Sequence, residues 1–206
     1  MKHEDFWQEI LPPGTPAPPS AFPATLPDGR VLLLPIRRLK NGQGGLASLI
    51  INQASFAVVD ALAEVLAERL APYRPEIVAG LPTLGLTLAA AVAQKLGHAR
   101  YVPFGTSEKF WYDAALSVPI SSVTTPDQTK RLFVDPRMLP LLEGRRIALV
   151  DDVISTGRSI LAGISLLEAC GVSPVVVGTA MLQTERWREK LQNHEVETVL
   201  RTPLLP

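Results

Sequence analysis

The stretch ALVDDVISTGRSI (148–160) runs apolar residues into two adjacent acids, Asp151 and Asp152, and then into Ser155-Thr156-Gly157-Arg158-Ser159. The apolar residues close a strand pattern over RRIALV (145–150), and a helical pattern follows from about Gly157 to Cys170, closed by Gly171. Two like charges side by side repel and raise each other's pKa unless a cation or hydrogen-bond donors compensate. The pair therefore asks for a metal, a pair of sugar hydroxyls or a phosphoacceptor role. Directly behind it, hydroxyls and a Gly at a helix start form an anion site through free N–H groups and the helix dipole. Capping would account for one hydroxyl residue, not for the whole run. Together these features describe a ligand with hydroxyls and a phosphate, such as a ribose 5-phosphate.

The same alternation repeats on both sides. EIVAG (76–80) is a short apolar strand, LPT a turn, and Leu84 to Leu96 an Ala-rich helix closed by Gly97. RYVPF (100–104) reads as a strand, GTSEKFWYDAA as a polar loop, and LSVPISSV (116–123) and KRLFVD (130–135) as two strands joined through TPDQ. PVVVGTAML (174–182) follows the helix after the acids. Upstream, Val31 to Ile36 reads as a strand before a basic cluster of Arg37, Arg38 and Lys40, NGQGG (41–45) as a loop, and Ser55 to Leu70 as an amphipathic helix stopped by Pro72. Apolar strands alternating with helices predict an α/β fold, a parallel twisted sheet of about five strands flanked by helices. Ligands of such sheets bind beyond the carboxyl ends of the strands. The places to look are 81–85, 105–113, 151–159 and 182–184.

The chain of 206 residues is long enough for one full core. Residues 1–30 read as a Pro-rich N-terminal arm and 31–206 as a single domain: Pro12, Pro13, Pro16, Pro18, Pro19, Pro23 and Pro27 are seven of the 19 prolines. Phe22 and Leu26 within the arm give it surface to lie against the body. Lys and Arg number 20 and Asp and Glu 20, so no basic field exists for nucleic acid, and an anion must be held locally. The one cysteine, Cys170, sits in an apolar helical pattern as a small core residue. No apolar run is long enough to span a membrane, and MKHEDFWQEI carries charges where a signal peptide would be apolar, so a cytoplasmic protein is expected.

ALVDDVISTGRS resembles the phosphoribosyl pyrophosphate signature of the type I phosphoribosyltransferases, with a pattern most like the adenine and xanthine members. The resemblance implies that Asp151 and Asp152 address the ribose hydroxyls and that Ser155, Thr156, Gly157, Arg158 and Ser159 wrap the 5-phosphate. It also implies Mg²⁺, bound mainly through substrate oxygens with Asp151 and Asp152 as indirect partners. GLPTLGL (80–86) resembles the family's pyrophosphate loop, which often includes a cis peptide. Matched residue by residue, that bond falls between Pro82 and Thr83, and Pro82, Thr83, Leu84 and Gly85 face pyrophosphate. The family's usual Arg or Lys is here Leu84, which removes a cation from that site. GTSEKFWYDAAL (105–116) stands where the family has a closing loop, and Lys109 matches its catalytic cation, with Phe110, Trp111 and Tyr112 as loop anchors.

For the base, the resemblance implies a site between the phosphate loop and a small hood formed by residues 30–56 and the C-terminal end. Val153 and Ile154 would form an apolar wall, and Asn52 and Gln183 would read polar edges; a neutral amide at 183 suits a neutral or amide-bearing base. Ser155 stands where hypoxanthine enzymes carry an Asp, so the general base is open, with Glu108 and Asp113 available. His98 and His194 are expected to face solvent. The implied activity is transfer of a phosphoribosyl group from phosphoribosyl pyrophosphate to a nucleobase, a purine by preference, in nucleotide salvage by a homodimer. The rival is a non-catalytic protein that senses phosphoribosyl pyrophosphate or a nucleotide; Leu84 and the missing base favour it, and the lack of a helix-turn-helix or positive charge opposes a DNA-binding version of it. A receiver-like phosphoacceptor reading fits the STGRS loop less well.

Overall fold

The computed structural model describes residues 3–39, 42, 44–120 and 130–206. Lys40, part of the NGQGG loop, the end of the strand expected over 116–123 and the TPDQ connection lie outside the described residues. In chain order the elements are β1 (Ala21–Thr25), β2 (Val31–Arg38), β3 (Gly45–Ala47), α1 (Phe56–Leu70), β4 (Ile77–Gly80), α2 (Gly85–Lys95), β5 (Val102–Pro103), β6 (Ser117–Ile120), β7 (Lys130–Phe133), β8 (Ile147–Ile154), α3 (Arg158–Ala169), β9 (Pro174–Gln183), β10 (Val196–Thr202) and β11 (Leu204–Leu205).

Five strands form one parallel sheet in the order β10-β9-β8-β4-β5. Its strands alternate between two cores because successive side chains point to opposite faces. Val78, Ala148, Val150 and Val176 join Val58, Leu62, Leu66 and Leu88 of α1 and α2 on one face. Ile77, Ala79, Ile147, Leu149 and Val177 join Ile160, Ile164 and Leu167 of α3 on the other. Burial on both faces explains the near-continuous apolar runs. Removing each Leu or Ile of this kind from water contributes about 1.5–3 kcal/mol.

The hood is a second sheet, order β1-β2-β3-β11, so the C-terminal residues close onto the N-terminal half. Pro23 is tolerated because β1 is an edge strand, where a missing donor costs no ladder bond. Phe6, Trp7, Ala21, Ala24 and Leu26 of the Pro-rich segment lie in the same buried cluster as α1 and α2. β6 and β7 pair antiparallel apart from both sheets and pack beside α3.

One boundary differs in a way that matters. The strand expected to end at Val150 continues through both acids to Ile154, because β9 supplies partners along its whole length, Asp151 opposite Thr179 and Ile154 opposite Leu182. On the other side β4 stops at Gly80, opposite Val150. β8 thus overhangs β4 by its last four residues, Asp151 to Ile154, and the two acids stand beside the turn leading into α2. Strands β1, β3, β10 and β11 fall where the sequence reading placed none.

Candidate active site

The overhang of β8 assembles the site. Asp151 and Asp152 are only 7% and 8% exposed, and the Asp152 N–H donates to Asp151 Oδ1 at 3.0 Å. The Asp152 carbonyl accepts from Thr179 Oγ1 on β9 at 2.9 Å, which fixes the strand beneath the acids. Burial pushes the Asp151 carboxyl well above the usual carboxylate range, and the neighbouring Asp152 charge pushes it the same way. Burial also raises Asp152. No cation among the described residues pairs with either, so the pair is charge-frustrated until a ligand or ion meets it.

Behind the acids, Gly157 takes φ 77° and turns the chain into α3. Only Gly adopts this conformation readily, and it leaves the first-turn N–H groups of α3 facing outward. Asp151 and residues 153–160 line a cavity of about 100 Å³ at that helix start. This is a small cavity, with room for a group on the scale of a phosphate. Ile154 is buried and Val153 half-buried, so Val153 is the more accessible of the two expected wall residues.

The β4–α2 turn approaches from the other side. The Pro82–Thr83 peptide bond is cis, Thr83 is exposed, and Gly85 is buried against Asp151. Leu84 is half-buried and packs against the α1–α2 core cluster, so its side chain belongs to the scaffold and leaves no charge at the turn.

Other expected residues are not joined to this centre. Lys109 is exposed, with Nζ 3.4 Å from Ser107 Oγ and no contact to either acid. Its loop is moored at one end: Arg137 lies 5.3 Å over the Trp111 ring, and Tyr112 meets Phe133 at 5.9 Å between centroids. Phe110 is 97% exposed and meets only the edge of the neighbouring Trp111 ring, 4.8 Å between centroids. Asp113 caps the following 3₁₀ turn by accepting from the Ala115 N–H at 2.9 Å, and Glu108 is exposed. His98 Nε2 sits 3.0 Å from the Pro75 carbonyl, tying α2 to the sheet's opposite end. His98 is half-buried, as is His194.

On the hood side, Gln183 Nε2 donates to the Ala47 carbonyl at 2.7 Å, pinning β3 to the end of β9. Its amide donor is engaged by the scaffold. Asn52 is exposed on a 3₁₀ turn, Ile51–Gln53, which the N-terminal segment brackets. Trp7 Nε1 donates to Ser48 O (3.0 Å), the Ser55 N–H donates to Trp7 O (3.0 Å), and Gln8 Nε2 donates to Gln53 O (3.0 Å). Sequence reading also stopped two residues short of Arg186, whose Nη2 reaches Ser155 Oγ at 3.2 Å. A cation just beyond the carboxyl end of β9 was the available signal.

The family model for the phosphoribosyl transferase domain matches residues 46–202. The chain belongs to this family. Among phosphoribosyl transferases, it is 33% identical over 138 residues to an adenine phosphoribosyltransferase of Corynebacterium efficiens, covering 61% of each chain. It is 34% identical over 134 residues to an orotate phosphoribosyltransferase of Halorhodospira halophila, covering 64% of this chain and 54% of that one. The match thus spans little more than half the length of these relatives. The crystal structure of an adenine phosphoribosyltransferase from Thermoanaerobacter pseudethanolicus shares the fold, with TM-score 0.60 and 23% identity over 70% of this chain and 81% of that one. Residues 3–45, with β1, β2 and the Trp7 clamp, lie outside the family match. Among the described residues no helix is long and apolar enough to cross a membrane.

Proposed function

We propose that this protein transfers the phosphoribosyl group of phosphoribosyl pyrophosphate to a ring nitrogen of a nucleobase, with a purine as the favoured class. The observation that carries this reading is the uncompensated Asp151–Asp152 pair beside the phosphate-sized cavity at the head of α3. Ribose hydroxyls donate to carboxylates, and the helix N-terminus with its hydroxyl residues receives the 5-phosphate. In the reaction the bond from the anomeric carbon to a pyrophosphate oxygen breaks, its electron pair leaving with pyrophosphate. A bond from that carbon to the ring nitrogen forms, and the nitrogen's proton is released. The cis turn at Pro82–Thr83 offers the leaving group backbone donors, and Lys109, carried over the site by loop closure, offers a charge.

Mg²⁺ is proposed as the companion ion. Among the described residues no group of three or more His, Cys, Asp or Glu could hold a metal. The donor set therefore fits an ion carried by the substrate's own oxygens and steadied by Asp151 and Asp152. Such an ion would neutralise charge on the departing pyrophosphate. A homodimer in the cytoplasm, acting in salvage, completes the proposal.

The test mixes protein, Mg²⁺ and phosphoribosyl pyrophosphate with a panel that includes adenine, oxopurines and orotate, and follows pyrophosphate release. Turnover with adenine or an oxopurine is expected. A second reading, a sensor that binds the donor without turning it over, is favoured by Leu84, which leaves the turn without a cation. Tight donor binding with no turnover on any base would establish it in place of the first.

A further inference from the structure

We infer that Arg186 is a donor-binding residue whose guanidinium completes the 5-phosphate site from outside the Ser155–Ser159 loop. This rests on the phosphoribosyl reading above and adds to it a cation from a segment 31 residues further along the chain. The geometry begins at Thr184, which takes φ 62° directly after β9. Its N–H donates to the Thr202 carbonyl at 2.8 Å and its own carbonyl accepts from Trp187 Nε1 at 3.0 Å, so the turn is held from both sides. Trp187 is buried in the α3 core, and this fixes the direction in which the chain doubles back.

It doubles back over the phosphate loop. A Cβ placed on Gly157 would meet Trp187 Cβ at 3.7 Å and Lys190 Cβ at 3.6 Å, ordinary contact distances, so the two segments touch. Next to Trp187, Arg186 lays its Nη2 3.2 Å from Ser155 Oγ and its Nε 3.3 Å from Thr184 Oγ1. A guanidinium has five N–H donors in a planar fork, and the two hydroxyl contacts leave its remaining N–H groups able to donate to a phosphate oxygen. No carboxylate among the described residues forms an ion pair with Arg186. The chain has no net charge to draw an anion from a distance, so binding at this loop depends on local groups, and Leu84 contributes no cation on the pyrophosphate side. Arg186 meets that need locally.

Isothermal titration of the full chain with ribose 5-phosphate, and separately with Mg²⁺-pyrophosphate, tests the assignment in Arg186→Gln and Arg186→Lys. Arg186→Gln is expected to weaken ribose 5-phosphate binding about tenfold, the loss of one charge-assisted hydrogen bond, and to leave pyrophosphate binding unchanged. Arg186→Lys should recover part of the loss, since a point charge replaces a fork. Unchanged ribose 5-phosphate affinity in Arg186→Gln, or an equal loss for both ligands, would overturn the assignment. A wild-type protein that binds neither ribose 5-phosphate nor Mg²⁺-pyrophosphate would instead overturn the phosphoribosyl reading, and this one with it.

Discussion

Gly85 and Asp151 touch: a Cβ built on Gly85 would stand 2.7 Å from Asp151 Oδ1 and 3.0 Å from Asp151 Cα. The first residue of α2 therefore stands against the first acid of β8, with no room between them for a side chain. Gly85→Ala should raise the KM for phosphoribosyl pyrophosphate at least tenfold, because either the carboxylate rotates or the turn withdraws. The Cβ also meets backbone, Asp151 Cα at 3.0 Å and Val150 O at 3.3 Å, so Tm is expected to fall as well. Unaltered donor kinetics in a folded Gly85→Ala protein would remove this contact from the mechanism.

The acids should also govern how stability depends on pH. Burial raises the folded-state pKa of Asp151 and Asp152 above the ordinary 3.8. A raised carboxyl binds more protons folded than unfolded. Its contribution to stability is complete below the unfolded value and is lost as pH rises through the folded one. The ligand-free protein should therefore lose stability above about pH 4 as the pair ionises, and Asp151→Asn should flatten that loss. At pH 7 the variant is expected to melt a few degrees higher, since ~1 kcal/mol moves a domain of this size by roughly 2–4 °C, while donor binding disappears. Thermal melts across pH 4–8 decide it; a steeper slope in the variant would contradict the assignment of buried, uncompensated charge.

The N-terminal clamp should act on the base side. Trp7→Phe keeps most of the buried ring but leaves the half-buried Ser48 carbonyl without its indole donor, a cost of about 1 kcal/mol. The expected kinetic sign is a higher KM for the accepted base with an unchanged KM for the donor, because the clamp holds residues 48–55 and touches neither acid. Parallel changes in both constants would mean that Trp7 supports the fold alone.

How far the sequence could be read follows from where each signal resides. EIVAG, RRIALV and PVVVGTAML are apolar on both faces, so their strand character survives without context. VETVLRT of β10 mixes charges and hydroxyls along an edge, and AFPAT of β1 carries a proline, so neither has a strand signal apart from its partner. The acids and the loop at 155–159 are contiguous, and the loop–helix chemistry can be read locally. Gln183 and Arg186 take their meaning from partners 136 and 31 residues away, Ala47 and Ser155, which no local pattern reveals. The overhang of β8 depends likewise on the unequal lengths of β4 and β9.

The most direct probe of catalytic competence is Leu84→Lys. Leu84 is half-buried against the α1–α2 core at the exposed cis turn, so a lysine stem can follow the same apolar surface and carry its ammonium outward beside Thr83. The exchange loses leucine packing, worth roughly 1 kcal/mol or a Tm lower by 2–4 °C. In return a cation enters the turn, and pyrophosphate should inhibit about three- to tenfold more tightly at low salt, with the gain shrinking toward 1 M as the charge is screened. A rise in kcat would mean that leaving-group charge limits the wild-type reaction; tighter pyrophosphate with constant kcat would place that limit elsewhere. Pyrophosphate affinity that does not respond at all would mean that the 82–85 turn does not face the leaving group, and the pyrophosphate half of the site would have to be sought on another loop.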